Sequence, residues 1–98
     1  MESELNNLTK SILKFRDDRN WSQYHNLKDL AVCLNVEAGE LLELFLWKNS
    51  DEVNKEKLKE ELADVLYSTL LLAHESGIDL HAALIEKLKK NELKYPVE

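Results

Sequence analysis

The chain has 98 residues and a net charge of −6 at pH 7, so we expect one small acidic domain over residues 1–98. An acidic chain lacks the clustered basic side chains that bind a nucleic acid polymer. A single cysteine excludes an internal disulfide, and no apolar run reaches the roughly 18 residues that a membrane-spanning helix needs. The start of the chain, Met1 to Glu4, is polar and unlike a signal peptide, and we therefore expect a soluble cytoplasmic protein.

The first predicted element is an amphipathic helix over residues 3–18. Its apolar side chains recur every three or four residues, which is the spacing of one helix face. They are Leu5, Leu8, Ile12 and Phe15. Residues 18–26 show little periodicity and are predicted to form a loop that carries aromatic side chains.

The second predicted helix begins after Asn26. Asn26 with Asp29 three residues later resembles a capping arrangement, and the apolar pattern that follows predicts a helix to about Lys48. The next residues, 49–52, form a short polar connector. Short connections favour antiparallel neighbours, so we expect the second and third helices to pack side by side in opposite directions.

The remaining sequence predicts two further helices. The third runs over about residues 51–75 and ends near Gly77, which can adopt the left-handed conformation of a helix cap. Asp79 can cap the fourth helix, which ends before Pro96. Since no segment alternates like a strand, we predict an all-α fold: a four-helix bundle with antiparallel central helices, completed by oligomerisation.

Two pairs of acidic residues lie within the central helices, Glu37 with Glu40 and Glu61 with Asp64. The three-residue spacing places each pair on one helix ridge, and leucines flank both ridges. Converging carboxylates among apolar side chains repel one another and lose hydration, which a cation would offset. Their oxygen ligands favour Mg²⁺ or Mn²⁺ over Zn²⁺. The alternative is that these are ordinary surface acids, and Cys33 is interpreted as a small buried side chain.

Two further groups of side chains are candidates for ligand contacts. Trp21 and His25 precede the first acidic helix and Trp47 lies at its predicted end, where aromatic rings could stack on a flat ligand. Asn91 and Lys94 lie on a basic ridge of the last helix, where they could face a phosphate. The alternatives are core or interface packing for the aromatic side chains and a solvated face for the basic ridge.

The apolar content is high for so short a chain. Hydrophobic residues make up 44% of the sequence, and they surround the two central helices almost completely. A helix that is apolar on nearly every side is usually buried. We therefore predict a homo-oligomer in which part of this surface is covered by another subunit.

The ordered set of these motifs resembles the MazG-like all-α nucleoside triphosphate pyrophosphohydrolases, and within them the dCTP pyrophosphatase branch. The resemblance covers residues 15–96. Its matching segments are FRDDRNWSQYH, EAGELLELFLW, ELADVL and KNELKYP. A departure occurs after Tyr67, where dCTP-specific relatives can carry a tyrosine and this chain has Ser68, which leaves the base preference open.

The resemblance implies Mg²⁺-dependent hydrolysis of a nucleoside triphosphate between the α and β phosphates, with dCTP-like substrates favoured and nucleotide-pool house-cleaning as the role. It implies that the metal is held by Glu37, Glu40, Glu61 and Asp64. It implies substrate contacts from Trp21, His25, Trp47, Asn91 and Lys94. Glu37 and Glu40 are the two candidates for the general base. The rival readings are a non-enzymatic helical dimerisation module and a pyrophosphohydrolase for other or modified nucleotides.

Overall fold

The computed structural model describes residues 3–97, and every regular element among them is helical. The four α-helices are α1 (Glu4–Asp18), α2 (Leu27–Glu43), α3 (Lys55–Ser76) and α4 (Leu80–Lys94). Single 3₁₀ turns form at Ser22–Tyr24 and Ser50–Glu52. The predicted all-α class with four helices is confirmed. Met1 and Glu2, part of the polar start of the chain, lie outside the described residues.

Local capping explains why the helices begin and end where they do. The Asn26 side chain accepts a hydrogen bond from the Asp29 amide at 2.9 Å and donates one to the Asp29 carboxylate at 2.8 Å. Asp79 caps α4 by accepting from the Ala82 amide at 3.1 Å. Gly77 ends α3 with a φ of 70°, a conformation that costs glycine little. These three predicted caps are confirmed.

The predicted carboxyl end of α2 is wrong. The helix ends at Glu43 and not near Lys48, and tight turns replace it, with the Lys48 amide donating to the Phe45 carbonyl at 3.1 Å. Within these turns Trp47 has a φ of 64°, which is uncommon for a residue with a side chain. The apolar pattern therefore continues past the last helical residue and conceals the end of the helix.

The predicted start of α3 is also wrong by four residues. Asn49 closes a turn of its own, because its carbonyl accepts from the Glu52 amide at 3.0 Å while the Glu52 carboxylate accepts from the Asn49 amide at 3.4 Å. A second asparagine, Asn54, then caps α3 by accepting from the Glu56 amide at 3.0 Å and from the Lys57 amide at 3.2 Å. The connector is thus a capped 3₁₀ turn followed by a new cap.

The antiparallel pair α2 and α3 forms the centre of the molecule, and α1 packs against α3. Leu30 on α2 and Leu71 on α3 are both almost fully buried. Arg16 on α1 is 7% exposed, and its guanidinium binds the Glu75 carboxylate of α3 and the Asp17 carboxylate beside it. This buried ion pair fixes α1 across the end of α3.

The apolar core of the single chain is small. Within residues 3–97 its buried hydrophobic residues are Leu30, Leu70, Leu71 and Ala73. The radius of gyration is 16.1 Å, whereas a compact chain of this length has a value near 13 Å. No described residue of α4 is buried. The completion of the bundle by oligomerisation stays a prediction.

No helix among residues 3–97 combines the length and the apolarity that crossing a bilayer requires.

Candidate metal and nucleotide site

The two acidic pairs meet at the contact between α2 and α3. Carboxylate oxygens of Glu37, Glu61 and Asp64 all lie within 4.8 Å of one another. The contact between α2 and α3 explains this meeting, because it brings the ridge of Glu37 and Glu40 against the ridge of Glu61 and Asp64. We call these four residues the acid cluster.

Two members of the acid cluster are shielded from water. Glu37 and Glu61 are half-buried, and the Oε2 atom of each is buried without a hydrogen-bond partner among the described residues. Loss of hydration is the largest cause that raises the pKa of both carboxyls above the ordinary value, and the charge of Glu40 is the next. The protein therefore holds two carboxylates in surroundings that disfavour their ionised form.

The other two members face solvent. Glu40 and Asp64 are exposed, so the flanking leucines shield only half of the acid cluster. The charge of Glu40 nevertheless contributes to the raised pKa of both Glu37 and Glu61. The acid cluster thus combines two shielded carboxylate oxygens with two solvated carboxylates.

This arrangement fits a divalent cation. A buried oxygen acceptor without a donor is costly, and a cation held between Glu37 and Glu61 would offset this cost. The three residues that converge within 4.8 Å offer only carboxylate oxygens, the ligands that hard cations prefer. The donor set therefore suits Mg²⁺ or Mn²⁺ better than a metal that prefers sulfur or nitrogen.

A groove of about 610 Å³ opens beside the acid cluster between α1, α2 and α3. This volume is typical of a small-molecule site. Its apolar wall is made by Leu8, Ile12, Phe15, Trp21, Cys33 and Tyr67. Its polar side chains are Ser11, Glu37, Asp64 and Ser68. The groove therefore joins an apolar wall to two members of the acid cluster.

Three aromatic rings of the groove are arranged edge to face. Phe15 lies 5.7 Å from Trp21 and 6.4 Å from Tyr67, measured between ring centroids, with interplanar angles of 74° and 88°. The Arg19 guanidinium carbon lies 3.7 Å from the centroid of Phe15. Burial raises the pKa of the Tyr67 phenol, which therefore stays protonated at neutral pH and can donate a hydrogen bond. This wall offers rings to a flat ligand.

The structure brings only part of the predicted substrate set to the groove. Trp21 lines it, whereas His25, Trp47, Asn91 and Lys94 do not. His25 and Asn91 are half-buried elsewhere, and the Nδ1 atom of His25 has no hydrogen-bond partner among the described residues. Trp47 is fully exposed, and the Lys94 ammonium lies 5.4 Å from the centroid of the neighbouring Tyr95 ring. A single subunit thus leaves these four residues outside the groove.

Sequence reasoning missed Tyr67 as a groove residue, connected Ser68 only with the base preference, and was wrong about Cys33. Cys33 is exposed and lines the groove, so its interpretation as a small buried side chain is wrong. Tyr67 and Ser68 follow Asp64 by three and four residues, and Cys33 precedes Glu37 by four. The helical spacing that identified the acidic pairs, extended by one turn, would have found all three.

The chain is similar to known proteins over most of its length. The MazG-like family matches residues 32–98. dCTP pyrophosphatase 1 of Mus musculus is 38% identical over 104 residues, which cover 98% of this chain and 61% of that protein. The Homo sapiens protein of the same name is 34% identical over 103 residues, which cover 97% and 61%. A pyrophosphatase from Archaeoglobus fulgidus DSM 4304 superposes with a TM-score of 0.90 at 38% identity, covering 99% of this chain and 96% of that one. The chain spans about three fifths of the length of the curated relatives.

Proposed function

The chain belongs to the MazG-like family, and we propose that it is a Mg²⁺-dependent pyrophosphohydrolase that cleaves nucleoside triphosphates between the α and β phosphates. The observation that carries this proposal is the acid cluster, in which two shielded carboxylate oxygens without partners among residues 3–97 lie beside a groove with aromatic walls. The names of the relatives, dCTP pyrophosphatase 1 and pyrophosphatase, support the same reaction class.

Glu37, Glu61 and Asp64 would hold the metal, with Glu40 close by as a fourth carboxylate. The ion is expected to be Mg²⁺, with Mn²⁺ as a substitute, because both prefer oxygen ligands. When bound, such an ion offsets phosphate charge and lowers the pKa of a bound water. The protein itself contributes the negative charges that attract the ion and the shielded surroundings that strengthen their interaction with it.

The proposed reaction adds water to the α-phosphorus. The water oxygen forms the new bond, the bond from the α-phosphorus to the bridging oxygen breaks, and the products are a nucleoside monophosphate and pyrophosphate. A carboxylate of the acid cluster accepts the proton of the water. Glu37 and Glu40 are the candidates, because Glu37 is a shielded base with a raised pKa and Glu40 is an exposed carboxylate beside it.

The groove is the proposed binding site for the nucleoside. Trp21 would contact the base from this subunit, and dCTP-like substrates are favoured on the names of the relatives. His25, Trp47, Asn91 and Lys94 are retained as substrate contacts, and they need a second subunit or a conformational change to reach the groove. Nucleotide-pool house-cleaning, a cytoplasmic location and a single domain over residues 1–98 stay predictions.

We further propose that a second copy of the chain covers the exposed apolar surface. Leu84, Ile85 and Leu88 of α4 are 45 to 60% exposed. Trp47 is fully exposed in a left-handed conformation that costs about 1 kcal/mol, and burial of its indole in an interface would offset this cost. Light scattering should therefore give a mass of at least twice 11.4 kDa. A monomer at micromolar concentration would contradict this part of the proposal.

The reaction is tested by measuring pyrophosphate release from a panel of canonical and modified nucleoside triphosphates with Mg²⁺. We expect turnover in the wild type and its loss in Glu40→Gln, with circular dichroism unchanged. The matched control is Glu43→Gln, which neutralises an exposed acid one turn further along α2 and should retain activity. Release of orthophosphate in place of pyrophosphate, or full activity of Glu40→Gln, would contradict the proposal.

A non-enzymatic dimerisation module is the second candidate, because the exposed apolar surface of α4 is equally consistent with a purely structural interface. That alternative predicts dimers without any thermal stabilisation by Mg²⁺. A third possibility, a pyrophosphohydrolase for other or modified nucleotides, would appear in the substrate panel as a different best substrate.

A further inference from the structure

Asn20 has a left-handed backbone conformation directly after α1. Its φ is 59°, a value that glycine adopts freely and that asparagine tolerates better than most other residues. Two hydrogen bonds form around it: the Asn20 amide donates to the Asp17 carbonyl at 3.0 Å, and the Trp21 amide donates to the Arg16 carbonyl at 3.1 Å. This pair of bonds is the Schellman motif that ends a helix. The chain therefore turns back at Asn20 toward the last turn of α1.

The reversal at Asn20 places the Trp21 ring against Phe15. The two ring centroids are 5.7 Å apart, and both rings line the groove. A Schellman motif is frequently accompanied by such an apolar contact between the residue after the left-handed one and the last helical turn. Trp21 is 42% exposed, so packing holds its ring only in part. The position of Trp21 in the groove therefore depends on the backbone conformation of Asn20.

We infer that Asn20 is a positioning residue, which fixes the Trp21 ring in the wall of the groove before a nucleotide binds. Asn20 does not itself line the groove, so it acts through Trp21. The inference rests on the proposed function, because the ligand that contacts Trp21 is taken to be the nucleoside. A wall that is already in place binds a ligand at a lower cost in conformational entropy. Loss of the left-handed conformation should therefore weaken nucleotide binding without changing the chemistry at the acid cluster.

The test varies the residue at position 20 in the order of its tolerance of a positive φ. Asn20→Gly keeps the left-handed conformation accessible and should behave like the wild type. Asn20→Ala disfavours this conformation, and Asn20→Val disfavours it more strongly because its side chain is branched at Cβ. For the best substrate of the pyrophosphate-release panel, KM should rise about threefold to tenfold in Asn20→Ala and further in Asn20→Val, because a smaller fraction of the protein is competent to bind. The kcat value should stay close to that of the wild type.

Asn7→Ala is the matched control. It removes the same exposed side chain from a residue within α1, whose right-handed conformation suits alanine. Its KM and kcat should equal those of the wild type. A rise in KM that Asn20→Ala shows and that Asn7→Ala and Asn20→Gly do not show would identify the left-handed conformation as its cause.

Fluorescence follows the position of Trp21 without any substrate. The chain has two tryptophans, so a Trp47→Phe background leaves Trp21 as the single indole. Acrylamide should quench Trp21 more strongly in Asn20→Ala and Asn20→Val, because the ring leaves Phe15, and at the wild-type level in Asn20→Gly. Far-ultraviolet circular dichroism checks the fold of each variant. If Asn20→Val does not fold, the comparison of Asn20→Ala with Asn20→Gly decides.

The inference is wrong if Asn20→Ala and Asn20→Gly give the same KM, or if the loss lies in kcat and not in KM. If the wild type hydrolyses no triphosphate, titration calorimetry with α,β-methylene-dCTP replaces KM. An affinity and a quenching that both follow the order of the variants would then leave the positioning role standing while the proposed reaction fails. If triphosphates are hydrolysed and KM does not follow that order, the positioning role fails and the reaction stands.

Discussion

Neutralising Glu37 should have opposite effects on the protein with and without Mg²⁺. Without metal, the Glu37→Gln variant should melt at a higher temperature than the wild type near neutral pH. The reason is that Glu37 is half-buried, its Oε2 has no hydrogen-bond partner among the described residues, and the neighbouring carboxylates repel it. With Mg²⁺ the variant should lose most of the stabilisation by metal, because a ligand is missing.

The size of the metal effect follows from linkage. A ligand at 100 times its Kd stabilises the folded state by about 2.7 kcal/mol. For a domain of about 100 residues, 1 kcal/mol shifts Tm by roughly 4 to 8 °C, so saturating Mg²⁺ should raise the wild-type Tm by roughly 10 to 20 °C. The Glu37→Gln variant should show only a small part of this shift.

The assay is thermal unfolding followed by circular dichroism, in EDTA and in a series of Mg²⁺ concentrations. Glu43→Gln serves as the control, because it removes an exposed acid of α2 outside the acid cluster and should keep the wild-type response. The reasoning is refuted if Glu37→Gln keeps the full Mg²⁺ shift while its metal-free Tm equals that of the wild type. In that case the acids are solvated surface groups.

Three further predictions concern pH, the ion pair of α1 and the cap of α3. Burial raises the pKa of Glu37 and Glu61 above the ordinary value. In the metal-free protein, the stability that these two groups contribute is therefore complete below their ordinary pKa. It is lost as the pH rises through the raised pKa values. The gap in Tm between the Mg²⁺-saturated and the metal-free protein should therefore widen from about pH 5 to about pH 8, and a constant gap would contradict this. Arg16→Leu should lower the free energy of unfolding by about 2 kcal/mol in urea denaturation, because it leaves a carboxylate of α3 unpaired. Lys14→Ala, the control, breaks an exposed ion pair and should change the free energy of unfolding by less than about 0.5 kcal/mol. Gly77→Ala should cost about 1 kcal/mol in the same measurement, because alanine is disfavoured at a φ of 70°.

The features that could be predicted from sequence are those set by a few neighbouring residues. The caps at Asn26 and Asp79 depend on a side chain and an amide three residues apart. The left-handed cap at Gly77 depends on one residue. The meeting of the acidic pairs required only helical spacing and an antiparallel neighbour. These are local rules, and tertiary packing did not override them.

The features that could not be predicted depend on tertiary packing. The end of α2 at Glu43 has no glycine or proline to mark it, and Trp47 takes a left-handed conformation that its residue type disfavours. The groove exists because α1 packs on α3 at an angle that brings Phe15 near Tyr67, and no spacing within one helix encodes that approach. For the same reason the exposure of Cys33 was wrongly assigned.

The register between α2 and α3 has a consequence for how members of this family can diverge in length. Residues 44–54 join the two helices without contributing to the acid cluster, so insertions there lengthen a surface loop at little cost. One residue inserted between Glu61 and Asp64 would instead rotate the rest of α3 by about 100° and separate the two acids from a common ridge. Evolutionary insertions and deletions should therefore accumulate in the connector and be absent between the paired acids of either helix.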